Sequence, residues 1–142
     1  MKHSNFVTTF ISLYSELDRS TLHRLPEIYS NDVQFIDAVH QIDGLPMLTE
    51  YFEHLYENIL NCQFHIHHVI ENNNEASLFW TMEYSHPKIG KGKSISVDGT
   101  SHIKFNERVY YHRDYLDMGQ MLYEHLPVLG SAVKLIKKRM QS

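Results

Sequence analysis

Two short stretches of the chain hold residues of the types that move protons. In Val33-Gln34-Phe35-Ile36-Asp37, strand alternation puts Val33, Phe35 and Asp37 on one face, so the carboxylate follows two core residues inward. A carboxylate among apolar neighbours is poorly solvated as an anion, the setting of a general base. The other use of an aspartate there is local, tying a loop by accepting hydrogen bonds from backbone amides. In the second stretch, His112 and Asp114 stand two apart on a strand and share a face with Tyr110 and Leu116. They can act as an acid/base pair, the aspartate can fix the histidine tautomer, or the two can form a structural hydrogen bond at a pocket wall. A bulge would reverse the facing and leave Arg113 inward.

The surroundings of these groups are expected to be apolar. Leu78, Trp80, Met82 and Tyr84 alternate with Ser77, Thr81 and Glu83, which assigns the former set to the inner face. Trp80 and Met82 then make a wall suited to a flat or lipid-like ligand, or simply fill the core. The chain has eleven histidines, and His65 and His67 share a strand face. No third ligand is readable near them, and the single cysteine, Cys62, falls on the opposite face, so no metal and no cofactor is expected.

These residues need a scaffold, and the hydrophobic periods describe one. Phe6, Phe10, Leu13 and Leu17 recur at spacings of three and four behind a capping Ser4, which predicts a first helix. A shorter helical stretch begins at Ser20 and is kinked or divided by Pro26. Asn31-Asp32 turns the chain into the short strand ending at Asp37. Gly44 and Pro46 then open a third helix with Leu48, Phe52, Leu55 and Ile59 on its buried stripe. From Gln63 the period becomes alternating, and stretches near 63–71, 76–86, 94–105 and 108–116 read as four strands. After Asp117 the helical period returns in Met118, Leu122, Leu126, Leu129, Val133, Ile136 and Met140, with Pro127 and Gly130 marking a kink or break. Helices first and consecutive strands afterwards predict an α+β fold, a curved antiparallel sheet with helices packed on one face.

Composition narrows the function classes. At 142 residues with 42% hydrophobic and 21% charged residues, the chain reads as one domain over 1–142 with neither disorder nor a membrane span. A formal charge of −4 argues against a general nucleic-acid binder. One cysteine and no visible secretion signal make the cytoplasm the expected location. The C-terminal stretch concentrates Lys134, Lys137, Lys138 and Arg139. These cations complement a helix dipole, or fit a segment that docks on an anionic membrane or a partner.

Three segments carry a resemblance to a known family: Ile28 through Asp37, Gly44 at the start of the third helix, and Arg108 through Asp117. Over roughly residues 5–117 the chain resembles the SnoaL-like group of the nuclear-transport-factor-2-like superfamily, with residues 118–142 as an extension. The resemblance implies a cone whose sheet curls around a pocket closed by helices. It implies Asp37 at the position of the catalytic aspartate of ketosteroid isomerase and Tyr14 at that of its oxyanion-binding tyrosine, while Ser101 falls near that enzyme's protonated second donor. In the epoxide-hydrolase branch two aspartates and an arginine activate water. Asp37, Asp114 and Arg113 supply those types here, although adjacent Arg113 and Asp114 point to opposite faces. The resemblance also implies sheet-to-sheet pairing as a homodimer. The expected function is a pocket for a small apolar oxygenated molecule, with cofactor-free isomerisation, cyclisation, dehydration or hydrolysis as the chemistry. Asp37, His112 and Asp114 are the expected catalytic groups, and Tyr14, Trp80, Met82 and Tyr110 the ligand-binding ones. The alternative is a non-catalytic module that binds ligand, protein or membrane.

Overall fold

The computed structural model describes residues 3–141. Helix α1 (Asn5–Ser15) starts where Ser4 Oγ accepts from the Val7 amide at 3.3 Å. The Ser4 amide in turn donates to Glu71 Oε1 at 2.9 Å, which ties the start of the helix to the sheet. A 3-10 turn at Leu22–Glu27 contains Pro26, and strand β1 (Tyr29–Ile36) follows. After four intervening residues lies β2 (Gln41–Asp43), a strand too short to show in the sequence pattern. Gly44 then caps helix α2 (Leu45–Asn58) with φ 93°, a left-handed conformation that explains the glycine. The long strands β3 (Asn61–Asn72), β4 (Glu75–Ser85), β5 (Ile95–Phe105) and β6 (Val109–Leu116) form a meander close to the predicted ranges. Its first turn uses Asn73 at φ 55°, which asparagine tolerates.

The six strands lie in the order β2-β1-β6-β5-β4-β3, a curved and unclosed sheet. All pairings are antiparallel except β1 with β6, which run parallel. That pairing joins residues about eighty positions apart and brings Phe35 opposite His112. Residues Val7, Phe10, Leu13 and Tyr14 of α1 and Leu48 and Phe52 of α2 pack with Tyr29, Val33, Phe35, Leu78, Ile103 and Val109 of the sheet. Each such side chain removed from water contributes roughly 1.5–3 kcal/mol. A smaller cluster of Tyr84, Ile95 and Val97 forms at the far end of the meander, against Leu116 and Met121.

The chain beyond β6 breaks into two pieces, as Pro127 and Gly130 foretell. A one-turn helix α3 (Met118–Met121) is capped by Asp117 Oδ1. It is fastened to the end of the sheet by the Asp98 amide, which donates to Gln120 Oε1 at 2.9 Å, and by the Tyr84 hydroxyl, which donates to the Met121 carbonyl. A 3-10 turn (Tyr123–His125) and a bend at Val128, φ 27°, lead into helix α4 (Leu129–Gln141). Gly130 lies flat on that turn, where a Cβ would fall 2.6 Å from the Glu124 carbonyl oxygen.

Strand β5 carries a second glycine with a packing reason. A Cβ on Gly99 would sit 2.4 Å from the Trp80 ring and 2.7 Å from the Tyr115 carbonyl oxygen. Because the carbonyl belongs to the backbone, the contact has no soft side on which to yield. Gly99→Ala is expected to destabilise the domain by about 1–3 kcal/mol, with the loss read as a lower urea midpoint at unchanged slope; an unchanged midpoint would show that Trp80 has room to move.

Candidate active site

A cavity of about 410 Å³ opens where the two apolar clusters meet. Phe35, Phe52 and Phe64 line it from the larger cluster, and Met82, Leu116 and Met121 from the smaller. Trp80, edge-on to Phe64 with ring centroids 5.3 Å apart, makes part of the wall together with Tyr14. Met118, Met121 and Leu122 close one side, so the start of the C-terminal extension is built into the pocket. Into this apolar lining project the two carboxylates Asp37 and Asp114.

Asp114 belongs to a buried polar chain that crosses the core. His112 has no exposed surface. Its Nε2 lies 2.6 Å from Asp114 Oδ1, and its Nδ1 lies 2.6 Å from the Tyr29 hydroxyl. Tyr29 is bonded at 2.7 Å to the Tyr14 hydroxyl, which returns the chain to the cavity wall. On the other side, Trp80 Nε1 donates to Ser101 Oγ at 2.8 Å, and the Ser101 hydroxyl donates to the same Asp114 Oδ1. Both bonds to Asp114 fall on Oδ1, and the side chain, 16% exposed, lines the cavity. Burial raises Tyr14 and Tyr29 far above the usual phenol range, reinforced for Tyr14 by the adjacent Tyr29 and the Asp114 charge. Both are therefore protonated at neutral pH.

The chain has a direction. An ionised Asp114 only accepts, so His112 Nε2 carries a proton toward it. With a neutral imidazole, Tyr29 donates to Nδ1 and Tyr14 donates to Tyr29. A second proton on the ring reverses the far half: Nδ1 donates to Tyr29, Tyr29 to Tyr14, and the Tyr14 proton turns toward the cavity.

Asp37 sits differently. Its Oδ1 accepts from the amides of Val39 and His40 at 2.9 and 2.7 Å and lies 3.1 Å from His40 Nδ1. Its Oδ2 accepts from the Tyr51 hydroxyl at 2.7 Å. The carboxylate thus pins the turn between β1 and β2 while its side lines the cavity. Burial, together with the Asp37 charge and hydrogen bond, pushes the Tyr51 phenol strongly upward and keeps it a donor.

The structure therefore brings Tyr14, Asp37, Trp80, Met82 and Asp114 to one cavity, with His112 one layer behind. Tyr110 is not among them. The register between β5 and β6 shifts between Lys104 and Phe105, and Tyr110 is the extra residue, 41% exposed on the outside. The bulge falls before His112 rather than after it, so His112 and Asp114 face inward and Arg113 outward, where it lies 4.9 Å over the Tyr115 ring. Tyr29 and Tyr51 had no assigned role in the sequence. Tyr29 shares the parity of Val33, Phe35 and Asp37, and Tyr51 stands three after Leu48 and four before Leu55, so the signals were present in alternation and helical spacing. Among the described residues, no three His, Cys, Asp or Glu side chains converge as a metal site.

Cys62 also lines the cavity, and burial pushes its thiol up to about 12. It is therefore a neutral packing group rather than a nucleophile. Iodoacetamide at about pH 8.5, near the ordinary thiol value, is expected to label the native protein far more slowly than the urea-unfolded chain, by mass spectrometry. Equal rates would mean that the thiol is ionised and accessible in the fold.

The geometry has close relatives among known folds. The family model described as "SnoaL-like domain" matches residues 10–112. No curated protein matches the sequence. Solved structures share the fold at low identity. A candidate SnoaL-like polyketide cyclase from Shewanella putrefaciens superposes with TM-score 0.68 at 18% identity, covering 82% of this chain and 90% of that one. An NTF2-like protein of unknown function from Burkholderia pseudomallei gives 0.74 at 17%, covering 84% and 95%. A ketosteroid-isomerase-like protein from Catenulispora acidiphila, in complex with trimethylamine, gives 0.72 at 12%, covering 89% and 96%.

Proposed function

Because this chain belongs to the SnoaL-like domain family, we propose that its cavity binds a small, mainly apolar, oxygenated molecule and moves a proton on it without a cofactor. The reaction class is abstraction of a proton next to a carbonyl, leading to isomerisation or cyclisation. The observation that carries it is Asp114, whose Oδ1 is held by Ser101 and His112 while its side chain lines an apolar cavity, which leaves Oδ2 as the oxygen for a substrate. A base must be fixed in place and must have an unengaged oxygen within reach of the substrate. Asp37 also faces the cavity, but both of its oxygens already accept bonds from the turn and from Tyr51. This assigns the proton-accepting role to Asp114 and the shaping of the rim to Asp37.

In this mechanism Asp114 Oδ2 takes the proton as the substrate oxygen gains negative charge. His112 holds Oδ1 and so fixes the carboxylate's orientation. Tyr14, which keeps its proton, stands at the wall; with His112 neutral it donates to Tyr29, and it turns to the developing oxyanion only when the ring carries a second proton. Trp80, Met82 and Phe64 supply the apolar surface that excludes water and binds the rest of the ligand. The likeness to a candidate polyketide cyclase supports this substrate class, since polyketides are carbonyl-rich and readily enolised.

Solvent exchange tests the chemistry before the natural substrate is known. A panel of apolar ketones and β-diketones, incubated with the protein in D₂O, is read by NMR for loss of the proton next to the carbonyl. Wild-type protein is expected to speed exchange for at least one class, Asp114→Asn to lose about 100-fold or more of that rate, and Asp37→Asn to lose much less. Exchange that survives in Asp114→Asn, or no catalysed exchange on any member, would turn the reading toward a non-catalytic binding module.

A further inference from the structure

Helix α4 has an apolar face that the domain leaves largely open. Leu129, Ile136 and Met140 recur at seven and four and so share one face, and they are 46%, 58% and 81% exposed. Val128, at the bend before them, is 87% exposed. The helix touches the domain by its flank instead, through Gly130 on the Glu124 carbonyl and through Lys137 Nζ, 3.1 Å from Glu124 Oε2. With 13 residues it is far too short to span a bilayer, and no helix among the described residues is long and apolar enough to do so.

The charge of the helix is as uneven as its hydrophobicity. Lys134, Lys137, Lys138 and Arg139 lie on it with no Asp or Glu, whereas the rest of the chain holds nine of the thirteen Lys and Arg residues and all seventeen acidic ones. Projected at 100° per residue, Lys137 and Arg139 flank the apolar stripe on either side, and Lys134 and Lys138 lie farther round. An apolar stripe edged by cations on an otherwise acidic protein matches the boundary of an anionic bilayer, where the stripe enters the acyl region and the cations meet headgroup phosphates. A second copy of the chain fits the stripe less well. Pairing the stripe with the same stripe of a second copy would bring the flanking cations of two like-charged helices together.

We infer that α4 is a surface anchor that lays its Leu129–Ile136–Met140 stripe on an anionic lipid surface. The acidic remainder of the domain is repelled by that surface, so the same charge asymmetry that attracts the helix also orients the molecule. Anchoring holds near the lipid the segment whose first turn, Met118 to Leu122, walls the cavity. Where the cavity binds an apolar molecule, as proposed above, the bilayer becomes the phase from which that molecule is drawn. The docking itself does not rest on that reading.

Flotation with vesicles separates the possibilities. Vesicles of phosphatidylcholine with phosphatidylglycerol are expected to carry the wild-type protein upward, whereas pure phosphatidylcholine vesicles leave it behind. Ile136→Asp with Met140→Asp, or Lys137→Gln with Arg139→Gln, is expected to weaken binding about tenfold or more, as is raised salt. These positions are exposed, and an unchanged circular-dichroism melt shows that the variants fold. Three results would overturn the inference: no binding to anionic vesicles, equal binding to both compositions, or a protein whose mass in light scattering halves in the Ile136→Asp, Met140→Asp variant, which would make the stripe an interface between copies. The solvent-exchange assay uses soluble ketones and no lipid, so failure of the anchor leaves the chemistry standing, and failure of the chemistry leaves the anchor.

Discussion

A histidine with no exposed surface at the centre of an aromatic core sets the terms for the site. Phe10, Phe35, Tyr14 and Tyr29 all approach the His112 ring, with centroids between 4.7 and 6.1 Å away. Both ring nitrogens are cut off from water there, and an unmet polar group in such surroundings costs about 1–3 kcal/mol. Partners must therefore come from the protein: the Tyr29 hydroxyl on one side and the Asp114 carboxylate on the other. Satisfying the histidine places a carboxylate at the edge of the core, and the edge of the core is the cavity wall.

The same requirement explains why the unusual features of the sheet lie where they do. Tyr29 meets Nδ1 because β1 runs parallel to β6, and the irregularity between Tyr29 and Gln34 lets both Tyr29 and Phe35 reach His112. The bulge at Tyr110 turns His112 inward three residues after Val109 instead of two or four. The neighbouring strand contributes Ser101, which faces Asp114 directly in the ladder and passes on the hydrogen bond from Trp80. Positioning is thus shared by four strands and α1. Rigid elements place reactive groups more exactly than loops do.

Much of this was legible in the sequence, and the reasons it was not complete are specific. Helix period, capping Ser4, Gly44 with Pro46, and the four alternating runs gave the elements because each signal is local. The inward set Leu78, Trp80, Met82 and Tyr84 followed from alternation, since β4 pairs with β5 without a shift. Tyr110 was misplaced because a bulge adds one residue without leaving a compositional mark. Strand β2 and the parallel pairing of β1 with β6 were hidden because they depend on contacts distant in the chain. Asp37 lines the cavity, but the sequence could not show that the turn amides would engage one of its oxygens and the Tyr51 hydroxyl the other. The split of the C-terminal period into a turn that closes the pocket and an amphipathic helix held by its flank was announced by Pro127 and Gly130, though the destination of each piece was not.

The site depends on the hydrogen-bonded state of His112. Long-range proton–nitrogen correlation NMR of histidine-labelled protein reads that state directly. The predicted result is a slowly exchanging proton on Nε2, shifted far downfield by Asp114, with Nδ1 unprotonated and accepting from Tyr29; Asp114→Asn should move the Nε2 signal strongly and Tyr29→Phe the Nδ1 signal. A ring that exchanges with water at the rate of a surface histidine, or one with its single proton on Nδ1, would contradict the account.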